Sequence, residues 1–313
     1  MNVLVTSAAR KVWLVEAFQR AVAPEGGRVF AADLDPLAAT LRVADGTVAL
    51  PRMDAPDFEA RLLEACRRHD IGLLVPTRDA ELPYFAARRA ELAAAGVVVH
   101  VGPPETVRLC QDKRAFVTHC LAAGLAVPHT FATADEARGH VAFARPRTGA
   151  GGRGVARIDD AAALAALSPW DAWVVQTFVS APEYTLDLLA DLTGQVVSVV
   201  PRQRLRVVSG ESVVGRTVEA PILVDRAVAL SESLGLVGHN TLQCFFADAE
   251  PLWIEVNPRF GGGAALGFAA GVDTPRLLVE WLQGAPVVPR LGQYERGLTM
   301  YRYSTDLYVR GEA

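Results

Sequence analysis

The segment Trp253-Ile-Glu-Val-Asn-Pro-Arg-Phe-Gly-Gly-Gly263 constrains this chain more than any other. An apolar strand delivers Glu255 and Asn257 two residues apart, and side chains two apart on a strand share a face. Two hard oxygen donors side by side suit Mg²⁺, which takes few protein ligands and leaves room for phosphate oxygens. Arg259 continues the alternation with a cation that never deprotonates. Pro258 ends the ladder, and three glycines follow whose backbone can approach an anion closely. Metal donors, arginine and bare backbone together read as a nucleoside triphosphate site. The competing reading is a surface strand with ordinary charges and a glycine turn.

Bulk properties narrow the function classes. The 313 residues are enough for two or three packed units. The net charge of −4 supplies no basic field for nucleic acid, so no nucleic-acid partner is expected. No stretch reaches the ~20 apolar residues of a membrane span, and Met1 to Thr6 reads as a strand and not as a signal peptide. Cys66, Cys110, Cys120 and Cys244 have no close pairing, which predicts reduced, buried thiols and a cytoplasmic protein. The six histidines lack zinc-ligand spacing.

The first hundred residues alternate strand and helix. Val3–Val5, Arg28–Ala32, Gly72–Thr77 and Val97–Val101 read as strands, and Val12–Ala23, Pro56–His69 and Glu81–Ala95 as helices. That order implies a parallel sheet covered on both faces. Its first turn, Thr6-Ser-Ala-Ala-Arg-Lys11, lacks the GxGxxG of a nicotinamide site. Arg10 and Lys11 there are expected to be solvated charges, with contact to an anionic substrate as the alternative. Gly102-Pro-Pro-Glu is a hinge-like break. The expected regions are 1–103, 104–172 and 173–313. Beyond the break, two hairpins are expected, Glu183–Leu192 with Val196–Arg202 and Gly238–Phe246 with Pro251–Asn257. Helices are expected at Pro221–Leu234 and Thr274–Leu282, and the tail Gly297–Arg310 reads as a closing strand or a homodimer contact.

The loop Thr148-Gly-Ala-Gly-Gly-Arg-Gly154 joins two strands and is not a Walker A loop, since no Lys-Ser/Thr follows. Gly149, Gly151, Gly152 and Gly154 permit a backbone amide nest over phosphates, in the manner of a hairpin lid. Arg145 on the entry strand and Lys113 at a helix start offer cations for those phosphates. If Gln243 faces Glu255 across the last hairpin, an amide oxygen joins the metal donors. Glu183 opens the middle hairpin, where a carboxylate can accept both hydrogen bonds of a ribose diol. Gly210-Glu-Ser reads as a substrate-side loop, with the stretch Arg202 to Arg216 framing an acceptor.

These pieces, in this order over nearly the whole chain, resemble the ATP-grasp superfamily, and within it the short proteins similar to one half of the carbamoyl-phosphate synthase large subunit. The carrying segments are Leu74-Val-Pro-Thr-Arg-Asp-Ala-Glu-Leu82, Asp112-Lys113, Ala144-Arg-Pro with the glycine loop, Val174 to Val179 with Glu183, Asn240-Thr-Leu-Gln243, and Ile254 to Arg259. The resemblance implies an α/β chain, α+β in its nucleotide part: a Rossmann-like N-terminal parallel sheet followed by a two-lobed ATP-grasp fold with a glycine-rich hairpin lid. It implies that Lys113 and Arg145 contact ATP phosphates and that Gln176, Thr177, Phe178 and Val179 line the adenine pocket. Glu183 would hold the ribose. Gln243, Glu255 and Asn257 would bind one or two Mg²⁺, with Mn²⁺ as the alternative. Arg202 and Arg259 would stabilise an acyl phosphate. The implied activity is an ADP-forming carboxylate–amine ligase that activates a small-molecule carboxylate as an acyl phosphate for attack by an amine or another nucleophile. A kinase on the same fold and a non-catalytic nucleotide-binding regulator are the alternatives. Two positions depart from the family pattern: Arg145 stands where many members carry lysine, and Thr177 where an acidic residue is common.

Overall fold

The computed structural model describes residues 1–149, 152, 154–247 and 249–310. The first sheet contains β1 (Asn2–Thr6), β2 (Val29–Ala32), β3 (Gly46–Thr47), β4 (Ile71–Pro76) and β5 (Val98–Val99). They lie parallel in the order β3-β2-β1-β4-β5. Alternation along these strands divides two cores. Val3, Val5, Val29, Ala31, Leu73 and Val75 enter one, and Leu4, Phe30, Ala32 and Leu74 enter the other. The first core also takes in Leu189, Val200, Phe260 and Leu277, so the sheet is packed directly onto the C-terminal half. Sequence reading expects four strands here; β3 adds a fifth, too short to show alternation. The helix expected over Glu81–Ala95 is a 3₁₀ turn followed by two helices, Leu82–Ala87 and Arg89–Ala94, broken at Arg88.

A small antiparallel sheet follows, with β6 (Ala142–Pro146) between β7 (Ala156–Ile158) and β8 (Trp173–Thr177). Phe131, Ala142, Ala144, Leu164 and Val175 form its own core. Residue 173, where the third expected region begins, therefore opens a strand of this lobe. The lobe closes after Thr177, because β8 spends its hydrogen bonds on β6.

The large sheet is built from β9 (Glu183–Ala190), β10 (Val196–Val208), β11 (Glu211–Thr217), β12 (Gly238–Phe245), β13 (Leu252–Asn257) and β14 (Thr299–Tyr301). Its order is β13-β12-β9-β10-β11-β14. Leu186, Leu188, Val199, Leu242 and Val256 pack on the buried side of the helix Pro221–Leu234. The register places the other residue set in rows on the opposite face. Arg202 pairs with Thr185, Thr185 with Gln243, and Gln243 with Glu255. Asp187, Thr241 and Asn257 form the next row. One face is thus apolar and covered by the helix, and the other carries these polar rows while Leu189 and Val200 on it pack against the first sheet.

Gly210-Glu-Ser, expected as a substrate-side loop, is the turn of the β10–β11 hairpin, with Ser209 and Gly210 both at positive φ, 49° and 78°. The tail adds the edge strand β14 against β11 and, among the described residues, carries no strand beyond it, where Tyr303 and Tyr308 are exposed. The four cysteines are free and buried. Among the described residues no helix is long and apolar enough to cross a membrane.

Candidate active site

The polar rows of the large sheet gather most of the residues singled out by sequence. Gln243 and Glu255 are direct cross-strand partners. With its amide turned so that both neighbours are satisfied, Gln243 donates to Glu255 Oε1 at 2.7 Å and accepts from Arg204 at 2.6 Å. Asn257 Nδ2 donates to the same Glu255 oxygen at 3.2 Å. Three oxygen-bearing side chains therefore crowd one patch at the open end of β12 and β13.

Arg145 joins this patch to the small lobe. It is 6% exposed. Its Nη1 donates to Ile254 O at 3.2 Å, its Nη2 to Gln176 Oε1 at 2.8 Å, and Glu255 lies 3.8 Å away. Burial lowers its pKa, and the Glu255 and Glu183 carboxylates oppose that shift. Lys113 donates from Nζ to Gly149 O at 2.8 Å, which ties the helix Lys113–Ala122 to the glycine loop. Burial lowers its pKa too, opposed by Glu255 and reinforced by Arg145. Of the loop glycines, Gly149, Gly152 and Gly154 have positive φ, and Gly151 lies outside the described residues.

Asp112 was missed as an organiser. It caps the Lys113 helix by accepting from Arg114 N and Ala115 N, and it takes Arg147 through Nε and Nη2. Arg147 enters the glycine loop, so one carboxylate sets both Lys113 and the loop base. A short polar side chain directly before a helix is a legible cap signal, but its second partner is a tertiary contact.

Glu183 accepts from Arg204 Nη1 at 2.7 Å. Burial pushes the Glu183 carboxyl up, Arg204 offsets part of that push, and Glu255 adds to it. Arg204 also donates to Gly210 O at 2.8 Å. Its Nε is buried without a partner among the described residues.

Arg202 lies deeper in the sheet than Arg204. Expected to face an acyl phosphate, it is 2% exposed and spends Nε and Nη2 on Asp187 at 2.6 and 2.8 Å. Gly263 closes over it; a Cβ there would stand 2.5 Å from Nη1. The cleft-facing arginine of β10 is Arg204, two residues on and nearer the open end. The Arg202-Gln-Arg204 spacing puts both arginines on one face, so sequence indicated the pair but not which member is covered.

The Gln176 side chain is spent inside the small lobe, accepting from Arg145 and donating to Pro128 O at 3.2 Å and Thr130 Oγ1 at 2.9 Å. Thr177 is exposed and Phe178 and Val179 half-buried, with the Thr177 and Phe178 amides donating to His129 O and Val141 O. Arg259 reaches back to the first sheet, where Asp79 takes it through both oxygens.

Among the described residues no three acidic, histidine or cysteine side chains cluster as a metal cage. Glu255 offers carboxylate oxygen to an ion, while the amide oxygens of Gln243 and Asn257 accept from Arg204 and Arg259 and would have to turn to join it.

Comparison with known proteins agrees with this architecture. Residues 3–100 match the family model described as PylC-like, N-terminal domain. Residues 170–305 match the model described as ATP-grasp in the biosynthetic pathway with Ter operon. No curated protein sequence matches. Among solved structures, biotin carboxylase from Campylobacter jejuni in complex with β,γ-ATP superposes with a TM-score of 0.73 at 14% identity, covering 95% of this chain and 74% of that one. L-amino acid ligase from Bacillus licheniformis gives 0.69 at 19% identity, covering 90% and 74%. N5-carboxyaminoimidazole synthetase from Staphylococcus aureus, complexed with ADP, gives 0.71 at 13% identity, covering 93% and 79%. The C-terminal part thus matches an ATP-grasp family model, and the chain shares its fold with these solved structures.

Proposed function

We propose that the protein is an ATP-dependent ligase that activates a small-molecule carboxylate as an acyl phosphate and passes the acyl group to an amine, releasing ADP and phosphate. The observation that carries this reading is the convergence of Glu255, Asn257 and Gln243 from the large sheet with Arg145 from the small lobe and Lys113 from the helix Lys113–Ala122. Oxygen donors for a metal face cations for phosphate across one cleft. The solved structures with this fold include a carboxylase bound to an ATP analogue, an L-amino acid ligase and a synthetase bound to ADP, which supports the same chemistry here.

Lys113 and Arg145 would hold the phosphate oxygens of ATP, and the glycine hairpin would lie over them. Glu183, anchored by Arg204, would accept from the ribose hydroxyls. Glu255, Asn257 and Gln243 would hold Mg²⁺, whose chemistry when bound is to neutralise charge on the transferring phosphoryl group. Arg259, pinned by Asp79, would set its remaining donor toward the acyl phosphate. A carboxylate oxygen attacks the γ-phosphorus, the bond to the β-bridging oxygen breaks, and ADP leaves. The amine nitrogen then adds to the acyl carbon and expels phosphate, losing its proton. Positioning and electrostatics supply the acceleration, and no side-chain nucleophile takes part.

The test is product analysis over a panel of carboxylates and amines. ADP and phosphate are expected, with ADP release that depends on both substrates. AMP and pyrophosphate would refute the acyl-phosphate route, and a stable phosphorylated product formed without amine would make the protein a kinase. Glu255→Ala should lose Mg²⁺-dependent turnover, a cost on the order of several kcal/mol in the transition state, while circular dichroism stays unchanged.

A further inference from the structure

Three acidic side chains are buried among the described residues: Glu81, Asp187 and Asp191. Two of them are satisfied within the chain. Asp187 takes Arg202 through Nε and Nη2, and one oxygen of Asp191 accepts from Thr193 N, Thr193 Oγ1 and Gln195 N. Glu81, 7% exposed, has neither kind of support. Its Oε1 accepts a single hydrogen bond, from Arg78 N at 3.0 Å. Among the described residues its Oε2 has no hydrogen-bond partner, and it is not one of the unpartnered atoms sealed from solvent. No lysine, arginine or histidine of the described residues forms an ion pair with it; the arginine of this turn goes to Asp79. A carboxylate taken out of water without a cation is unstable in its charged form, and burial accordingly pushes this carboxyl up.

Glu81 lies where the first sheet divides. β1 is followed by β2 and β3 on one side, and β4 by β5 on the other. In an open parallel sheet, ligands bind in the crevice beyond the carboxyl ends of such a strand pair. Thr6 and Pro76 are the paired ends of β1 and β4. The loops beyond them are laced together: Thr77 Oγ1 donates to Ser7 O at 2.7 Å, and Ser7, a non-glycine residue, is held at a φ of 48°. Glu81 itself ends the 3₁₀ turn Asp79–Glu81. That turn is fixed from two directions. The Asp79 carboxylate takes Arg259, and Asp79 O accepts from Gln111 Nε2 at 2.5 Å, two residues before Lys113. The turn that carries the unpaired carboxylate is thus clamped between the arginine beside Glu255 and Asn257 and the start of the Lys113 helix.

We propose that Glu81 holds the ammonium group of the substrate whose carboxylate is phosphorylated, so that the acyl donor is an amino acid. This rests on the ligase reading above. An ammonium brings hydrogen-bond donors to Oε2 and the positive charge that the chain itself does not supply. One turn then serves both ends of the molecule: Asp79 orients the arginine that meets the acyl phosphate, and Glu81 meets the nitrogen. An acid without a basic nitrogen leaves the Glu81 charge buried and unpaired, so the site discriminates against it.

Hydroxylamine in place of the amine traps an acyl phosphate as its hydroxamate, so the acyl donor can be screened by itself. With Mg·ATP present, the common L-amino acids, their D-enantiomers and β-alanine are each compared with the acid that lacks the amino group. An amino acid should give hydroxamate and ADP with a kcat/KM roughly tenfold or more above that of its deamino counterpart, as for one charge-assisted contact. This comparison needs no variant. Glu81→Gln keeps an acceptor for Arg78 N and removes the charge. It should erase most of the preference, lowering kcat/KM for the amino acid roughly tenfold and leaving the deamino acid little changed, with calorimetric Mg·ATP binding reporting that the variant is folded. Equal use of amino and deamino acids by the unaltered protein overturns the proposal and keeps the ligase reading, and so does a preference that survives in Glu81→Gln. Absence of hydroxamate from every acid brings down the ligase reading, and this proposal with it.

Discussion

Asp79 and Arg259, 180 positions apart in the chain, close a two-bond ion pair, Oδ1 to Nε at 2.9 Å and Oδ2 to Nη2 at 2.6 Å. The pair fastens the segment after β4 to the residue just beyond β13. The first sheet thereby fixes the direction of the arginine beside the metal-type side chains. Asp79→Asn keeps the shape and removes the charge. It should cost about 1–3 kcal/mol of stability in urea unfolding and lower turnover, because Arg259 loses its anchor. Full activity in that variant would show that Arg259 needs no such positioning.

Arg145 contacts Gln176 Oε1, Ile254 O and the Glu255 charge at once. A lysine can keep the charge and one of these contacts. Arg145→Lys should retain measurable ATP turnover. Arg145→Ala should weaken ATP binding and slow phosphoryl transfer together, since the charge serves both ground and transition states. It also leaves the buried Gln176 oxygen unpaired, at roughly 1–3 kcal/mol in stability. Steady-state kinetics and denaturant titration on the same preparations separate the two effects. Unchanged kinetics in the alanine variant would remove Arg145 from the phosphate site.

Arg202 and Arg204 should differ in their effect on catalysis. Arg202→Ala leaves Asp187 buried without its partner and should cost about 3–5 kcal/mol. Replacing both members, Arg202→Met with Asp187→Leu, should recover much of that loss and keep ATP turnover. Arg204→Gln should also lower the melting temperature, since the half-buried Glu183 loses its partner, and in addition raise the KM for ATP, because Glu183 and Gln243 lose their common anchor. Loss of turnover in the stable Arg202/Asp187 double variant would return Arg202 to the catalytic set.

His100 and His239 both stack on the Phe260 ring, with ring centroids 4.8 and 4.4 Å from it. Burial holds each at about 3 against an ordinary 6.5, with the charge of His239 adding for His100 and that of Arg202 adding for His239. Below 6.5 the unfolded chain takes up protons that the native state refuses. Their contribution is therefore complete above pH 6.5 and is lost as pH falls toward 3. The urea midpoint should drop between about pH 7 and about pH 5, and His239→Gln should flatten the drop. An identical pH slope in the variant would show that this imidazole is not held neutral by the fold.

Local chemistry made much of this protein legible. Glu255 and Asn257 share a face because strand side chains alternate, and no tertiary information is needed to know it. Pro221–Leu234 and Thr274–Leu282 emerge as helices with the expected ends, since proline at the start and apolar spacing act within the segment itself. The opposition of Gln243 and Glu255 needed only the hairpin register. Position across the sheets is a different matter. β3 is two residues long and exists because β2 offers it an edge. Whether Arg202 or Arg204 lies deeper depends on Gly263 and Asp187. Periodicity says which side of an element a residue occupies. Burial and pairing depend on what a distant part of the chain lays over that side, and only the folded arrangement decides it.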